Sequence, residues 1–337
     1  MKTFAFLLHP INIQQVKSFW PLTRILPPYF RKLYLKHCDF KVLPLTNVKS
    51  KKGREIQGYL IICPLLPEEI KNLIKLDEEL LLDKIISAGY IAERLEAKIM
   101  GLGGYLGIIA DKKPMIYKHL KVPLSSGSTF TAWSVFEKVY TVAQQKKLDL
   151  KKLTLAIVGP ITGVSSLCAR KFSEHIARII LTGESETKLQ KLKNNINQLN
   201  PVTVEINHDV TKAVKEADII INTDSEDRCF FSIADLKPQS IICDISVFQL
   251  IAEKAKQRKD ITLIEHGIIK LPKAKYIAIN LCLPKDTVYA SLAEIMLLAL
   301  EERLVNYSLG ENINLDKLED IANMAVQHGF EICVSDV

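Results

Sequence analysis

From residue 153 to residue 265, short runs of Ile, Leu and Val alternate with polar stretches of helix length, the rhythm of repeated βαβ units. Residues 153–158, 178–182, 202–206, 218–222, 240–245 and 261–265 read as strands, and residues 166–174, 185–198 and 211–217 as helices between them. The runs are continuously apolar, with three isoleucines in a row at Ile219, Ile220 and Ile221. Such runs fit parallel strands covered by helices on both faces. The expected fold is therefore α/β, with a Rossmann-type doubly wound parallel sheet over residues 151–275. A second α/β domain is expected over residues 1–150, with strands at 3–9 and 59–63 and helices at 67–74, 78–99 and 131–147. Residues 276–337 carry apolar helices at 286–304 and 315–327. These are expected to pack back on the N-terminal domain, because a short helix pair cannot bury its own apolar face.

At 337 residues the chain is long enough for two cores. No apolar run reaches the ~18 residues that a membrane span needs. The first ten residues lack a signal-peptide core and cleavage site, so a cytoplasmic protein without a transmembrane segment is expected. Seven cysteines, widely spread and never in a C-x-x-C pair, encode neither a disulfide framework nor a zinc site. Metal-ligand clusters are absent from the sequence pattern, and the basic residues lack the interleaved aromatics of a nucleic-acid platform. Charge is uneven: residues 1–60 hold 11 Lys or Arg against 2 acids, and residues 301–337 hold 8 acids against 2 basic residues. The basic N-terminal region is either an attractor for an acidic or phosphate-bearing partner or a plain solvated surface.

A dinucleotide site needs a strand, a tight glycine turn and a helix N-terminus, so that backbone N–H groups meet the pyrophosphate. Residues Gly159, Pro160, Ile161, Thr162, Gly163, Val164 and Ser165 stand in that context. They keep the first glycine but place Ile161 or Thr162, and Ser165, where G-x-G-x-x-G or G-x-x-G-x-x-G would want glycine, and Gly163 is one place off. After the second strand, Gly183, Glu184 and Ser185 stand where an acid would accept the ribose hydroxyls of NAD. Glu184 and Glu186 would repel the extra phosphate of NADP, so NAD(H) is expected before NADP(H); the alternative is that both are helix N-terminal acids. Thr223 and Ser225, past the isoleucine strand, complete the cofactor set. On the substrate side, the paired glycines Gly103 and Gly104 and the segment Ser126, Gly127, Ser128 and Thr129 present close backbone and hydroxyls before a helix. They read as a ligand cradle or as a simple turn and cap. The seven histidines show no triad spacing.

Several separated blocks, in order, resemble the long-chain acyl-[acyl-carrier-protein] reductases and the related shikimate-like or amino-acid dehydrogenases. They are Phe4-Ala5-Phe6-Leu7-Leu8-His9-Pro10, Gly101-Leu102-Gly103-Gly104, Ser126 to Ala132, Leu155 to Arg170, Ala290-Ser291-Leu292-Ala293-Glu294, Asn306 to Gly310 and His328-Gly329-Phe330. The resemblance implies reduction of a carrier-protein or coenzyme A thioester by a nicotinamide, through an acyl-cysteine. The matching position is Ser291, with Cys282 nine residues earlier as a substitute nucleophile. The phosphate-binding arginine implied by the resemblance falls at Glu184, and the glycine turn is altered at Thr162 and Ser165. The readings are an acyl-thioester reductase, a dehydrogenase without covalent intermediate, or a paralogue that binds an acyl carrier without catalysis and takes no cofactor.

Overall fold

The structure, a computed structural model, describes residues 2–224, 231–246, 250–264, 267–272, 283–310 and 313–333. The elements run β1 (Lys2–Leu8), α1 (Ile13–Phe19), α2 (Pro28–His37), β2 (Lys41–Lys49), β3 (Glu55–Ile62), α3 (Pro67–Leu76), α4 (Glu78–Arg94), β4 (Met100–Leu102), α5 (Gly104–Lys112) and β5 (Leu124–Ser125). Then follow α6 (Ser128–Gln145), β6 (Thr154–Val158), α7 (Gly163–Phe172), β7 (Arg178–Leu181), α8 (Glu186–Leu199), β8 (Thr203–Ile206), α9 (Val210–Glu216) and β9 (Ile219–Asn222). The last are β10 (Ile241–Asp244), α10 (Leu250–Ala255), β11 (Thr262–Ile264), α11 (Ala290–Leu300) and α12 (Asp316–His328). The chain divides into two compact units. One comprises residues 1–127, 270–310 and 324–331, the other residues 128–269, 311–323 and 332–337.

In the second unit six strands lie in the order β11-β10-β9-β6-β7-β8, all parallel. Counted from β6 this is the doubly wound order 3-2-1-4-5-6, with the switch point between β6 and β9. The strands interlock because both faces are apolar: Ile219, Ile220 and Ile221 of β9 are fully buried, each stabilising the sheet by roughly 1.5–3 kcal/mol. α6 belongs to this unit rather than to the N-terminal domain. Its apolar face, Val135, Phe136, Val139 and Val142, joins the core formed by β6, β7 and α7, with Phe136 stacked edge-on to Phe172 at 5.0 Å. The N-terminal segment of the first unit therefore ends at Gly127, short of residue 150.

In the first unit the sheet order is β2-β3-β1-β4-β5, with β2 antiparallel and the rest parallel. Parallel register puts Leu7 beside Leu102 and Gly101 beside Ser125. The carboxyl ends of β1, β4 and β5 thus emerge together. Against β1 and β4 packs α11, in which every residue but Ser291 is buried. A helix apolar all round is a core helix, and Glu294 in its middle must find hydrogen-bond partners there. Among the described residues, no helix is long and apolar enough to cross a membrane.

Candidate functional site

The cofactor candidates converge at the carboxyl end of β6. Gly159 sits at φ +113, a conformation that L side chains rarely adopt. A Cβ there would lie 2.6 Å from the Asp224 backbone nitrogen and 2.9 Å from Thr223 Oγ1. Gly183 closes the other side, since its Cβ would meet the Gly159 carbonyl at 2.9 Å. Thr223 hydroxyl donates to the Val158 carbonyl at 3.1 Å, holding β9 and the turn in register. The structure thus brings Gly159, Gly183 and Thr223 together; Ser225 lies outside the described residues.

The helix after the turn starts three residues earlier than its apolar pattern indicates, at Gly163 rather than 166. The reason is local: Ser165 Oγ accepts from the Thr162 N–H at 2.6 Å and donates to carbonyl oxygens of the turn, which winds the first helical turn tight. Small hydroxyl residues replace glycine here because their side chains fold back on the turn. One N–H is consumed by that contact and Pro160 supplies none. The Gly163 and Val164 N–H groups, in the first turn of α7, have no intrahelical acceptor. The cradle is therefore narrow and glycine-dependent, with fewer backbone donors than a full three-glycine turn.

After β7, Glu186 opens α8 and is drawn to His208, whose Nε2 lies 2.8 Å away, while His208 Nδ1 faces the Gly183 carbonyl at 3.3 Å. Ser185 is the N-cap residue, and Glu184 beside it is exposed. The two glutamates are thus separated in role: Glu186 serves the helix start and His208, and Glu184 occupies the loop after the second strand. Sequence reasoning overlooked the pair next to this turn, Asn222 and Asp244. Buried Asp244, at the end of β10, accepts from Asn222 Nδ2 at 2.9 Å, from Ser246 Oγ at 2.6 Å, and from the Ile251 and Ala252 N–H groups at 3.1 and 2.9 Å. One carboxylate therefore fixes the chain leaving β9 and the start of α10. An acid closing an apolar strand was the available signal.

In the first unit the candidates gather where β1, β4 and β5 end. Gly127, at φ +77, lies flush on α11: a Cβ there would be 2.3 Å from Ser291 Cα and 2.4 Å from Ser291 Cβ. Ser126 donates from both N–H and hydroxyl to the Ser308 carbonyl, each at 2.8 Å. Beneath them the buried Glu294 Oε1 accepts the hydroxyls of Ser125, at 2.5 Å, and Ser308, at 2.7 Å. Ser291 and Glu294, three apart, share one face of α11. Burial and the Glu294 carboxylate raise the phenol pKa of Tyr307. Ser128 and Thr129 open α6, in the other unit.

His9 is a further member that histidine spacing could not find. It is buried at the end of β1, its Nδ1 3.0 Å from the Pro10 carbonyl and its Nε2 accepting from the Tyr105 N–H at 3.4 Å. Those two partners require the proton on Nδ1 and a lone pair on Nε2. Burial lowers its pKa, outweighing the carbonyl contact, so the ring is neutral at pH 7. Gly104, at φ +58, permits the approach, since a Cβ there would sit 2.6 Å from His9 Nε2; Gly103 packs on Phe6. Three cysteines are closed to chemistry: burial pushes Cys63 and Cys243 up to about 12 and raises Cys168 as well. Cys282 lies outside the described residues. Among those residues no His, Cys, Asp and Glu group could hold a metal ion.

No protein-family model matches the chain. It is 25% identical to a long-chain acyl-[acyl-carrier-protein] reductase of Synechococcus elongatus, over 85% of each chain. It is 23% identical to the aminotransferase PigE of a Serratia species, over 97% of this chain but only 39% of that protein's length. Among solved structures it is similar to L-tryptophan dehydrogenase of Nostoc punctiforme, with TM-score 0.42 and 15% identity over 97% of this chain and 80% of that one. It is also similar to shikimate 5-dehydrogenase of Listeria monocytogenes, solved with shikimate and NAD, with TM-score 0.39 and 12% identity over 78% and 86% of the two chains.

Proposed function

We propose that the chain is an NAD(H)-dependent oxidoreductase that reduces an acyl group, with an acyl thioester as substrate and the dinucleotide in the Gly159 turn. The observation that carries the proposal is Gly159 itself: a left-handed glycine after the first strand of a 3-2-1-4-5-6 sheet, at the switch point. The 25% identity to an acyl-carrier-protein reductase over 85% of both chains supports the substrate class. A coenzyme A or acyl-carrier-protein thioester is reduced to aldehyde and free thiol, consuming one NADH and one proton.

The nicotinamide supplies the hydride. The Gly163 and Val164 N–H groups bind the pyrophosphate, and Glu184 accepts the ribose hydroxyls. In the substrate unit, Ser291 at the first turn of α11 donates to the acyl oxygen, helped by the positive end of the helix. The Glu294, Ser125 and Ser308 network holds the Ser126 loop at a fixed distance from Ser291. Burial raises the pKa values of Cys63, Cys168 and Cys243, so none of these three supplies a thiolate, and an acyl-cysteine route would fall to Cys282, outside the described residues.

The test is NADH oxidation with a long-chain acyl-coenzyme A. Turnover with aldehyde formation, lost in Gly159→Asp, supports the proposal. Turnover that survives Gly159→Asp would remove the turn from the reaction.

A further inference from the structure

We propose that the segment from residue 11 to residue 37 is a membrane-docking face, which seats the protein on anionic lipid through an apolar patch ringed by cations. The proposal is independent of the oxidoreductase reading. Along this stretch Ile11, Leu22, Ile25, Tyr29, Phe30 and Leu33 are all exposed, Ile25 to 77% and Tyr29 to 75%. Soluble surfaces scatter such residues singly, whereas here six fall within 23 consecutive positions, from Ile11 to Leu33.

α2 shows how the patch is built. At about 100° per residue, Tyr29, Phe30, Leu33 and His37 share the outward side of the helix, and Lys32 and Lys36 flank them. The opposite side carries Leu35, which packs with Val16, Trp20 and Ile62 in a small core. The helix is therefore apolar on both sides, and only one side has protein to cover it. The segment is anchored rather than frayed: Asn12 Oδ1 accepts from the Gln15 N–H at 3.0 Å, and the Trp20 indole donates to the Asp39 carbonyl at 3.3 Å. Tyr29 and Phe30 pack edge to face at 5.6 Å, so the outward tips are held together.

Charge decides what covers this face. Lys17, Arg24, Arg31, Lys32 and Lys36 lie in it, and no Asp or Glu occurs before Asp39. Glu69 of α3 faces Arg31 and Lys32 electrostatically, but the segment itself is cationic throughout. Apolar and aromatic tips among an excess of cations match a bilayer surface, where rings enter the headgroup level and cations meet lipid phosphates. Lipid supplies an apolar interior and anionic phosphates at one surface, and the vesicle experiment separates it from an acidic protein.

Co-sedimentation of the full chain with vesicles tests this, using phosphatidylcholine alone and phosphatidylcholine with about 30% phosphatidylglycerol. The expected result is binding to the anionic vesicles only, weakened by salt. The exposed-residue variant Tyr29→Ser/Phe30→Ser and the charge variant Arg31→Glu/Lys32→Glu should each weaken it roughly tenfold or more. A Tyr29→Trp variant should show a blue-shifted emission on binding, which reports insertion directly. Binding lost only in the charge variant, without a blue shift, would mean a purely electrostatic face suited to an acidic protein and would overturn the proposal. Absence of binding to anionic vesicles would overturn it as well.

Discussion

Gly159 and His9 show how much of the two candidate sites rests on single residues. At φ +113, and with an added Cβ only 2.6 Å from the Asp224 backbone nitrogen, Gly159 cannot become even alanine without displacing a neighbouring main chain. Gly159→Ala is expected to weaken NADH binding by about a hundredfold, at a stability cost of about 1–3 kcal/mol, read by calorimetry and thermal melting. For His9 the sign is fixed by burial. Its folded pKa lies below the ordinary histidine value, so the unfolded chain binds more protons below pH ~6.5. Stability contributed by neutral His9 is complete above that pH and is lost as the pH falls toward the lowered folded value. His175 and His328 are shifted the same way, also by burial. The melting temperature should therefore fall between pH 7 and pH 5, and His9→Asn should flatten part of that fall; an unchanged profile would contradict the burial argument. Glycines were legible in the sequence because so few residues tolerate their positions, whereas His9 was not, since its partner Tyr105 lies 96 residues away.

At the scale of elements, the strands of the second unit were readable almost to the residue because each is a closed apolar run with both faces buried. The isoleucine run predicted at 218–222 is β9, Ile219–Asn222, and the run predicted at 153–158 is β6, Thr154–Val158. The elements that shape the candidate substrate site were not. β4 and β5 are three and two residues long, too short for any period to register, and β2 is an antiparallel edge strand that carries Pro44 and shifts register between Leu45 and Val48. α7 began early because Thr162 and Ser165 cap it, a hydroxyl signal read beforehand only as a departure from glycine. α11 carries the sharpest element-level prediction. Its buried Glu294 depends on the Ser125 and Ser308 hydroxyls, so Ser125→Ala should cost about 1–3 kcal/mol in denaturant unfolding. Ser291→Cys, at the half-buried position of the same helix, should yield an acyl adduct visible by intact mass if an acyl thioester reaches this helix.

Over the whole molecule, the α/β class and the doubly wound sheet followed from alternating apolar runs, while the division into units did not. α6 reads as the end of one domain in sequence, yet its aromatic face joins the core around Phe172, because Phe136 and Val139 find a larger apolar surface there. The central claim is that this sheet holds a nicotinamide dinucleotide in the Gly159 turn, with Glu184 selecting its ribose. Calorimetric titration of the full chain with NADH and with NADPH tests it most directly. NADH should bind at least tenfold tighter than NADPH, since a carboxylate beside a phosphate is repulsive by about 1 kcal/mol or more. Failure of both to bind, or tighter binding of NADPH, would contradict the account.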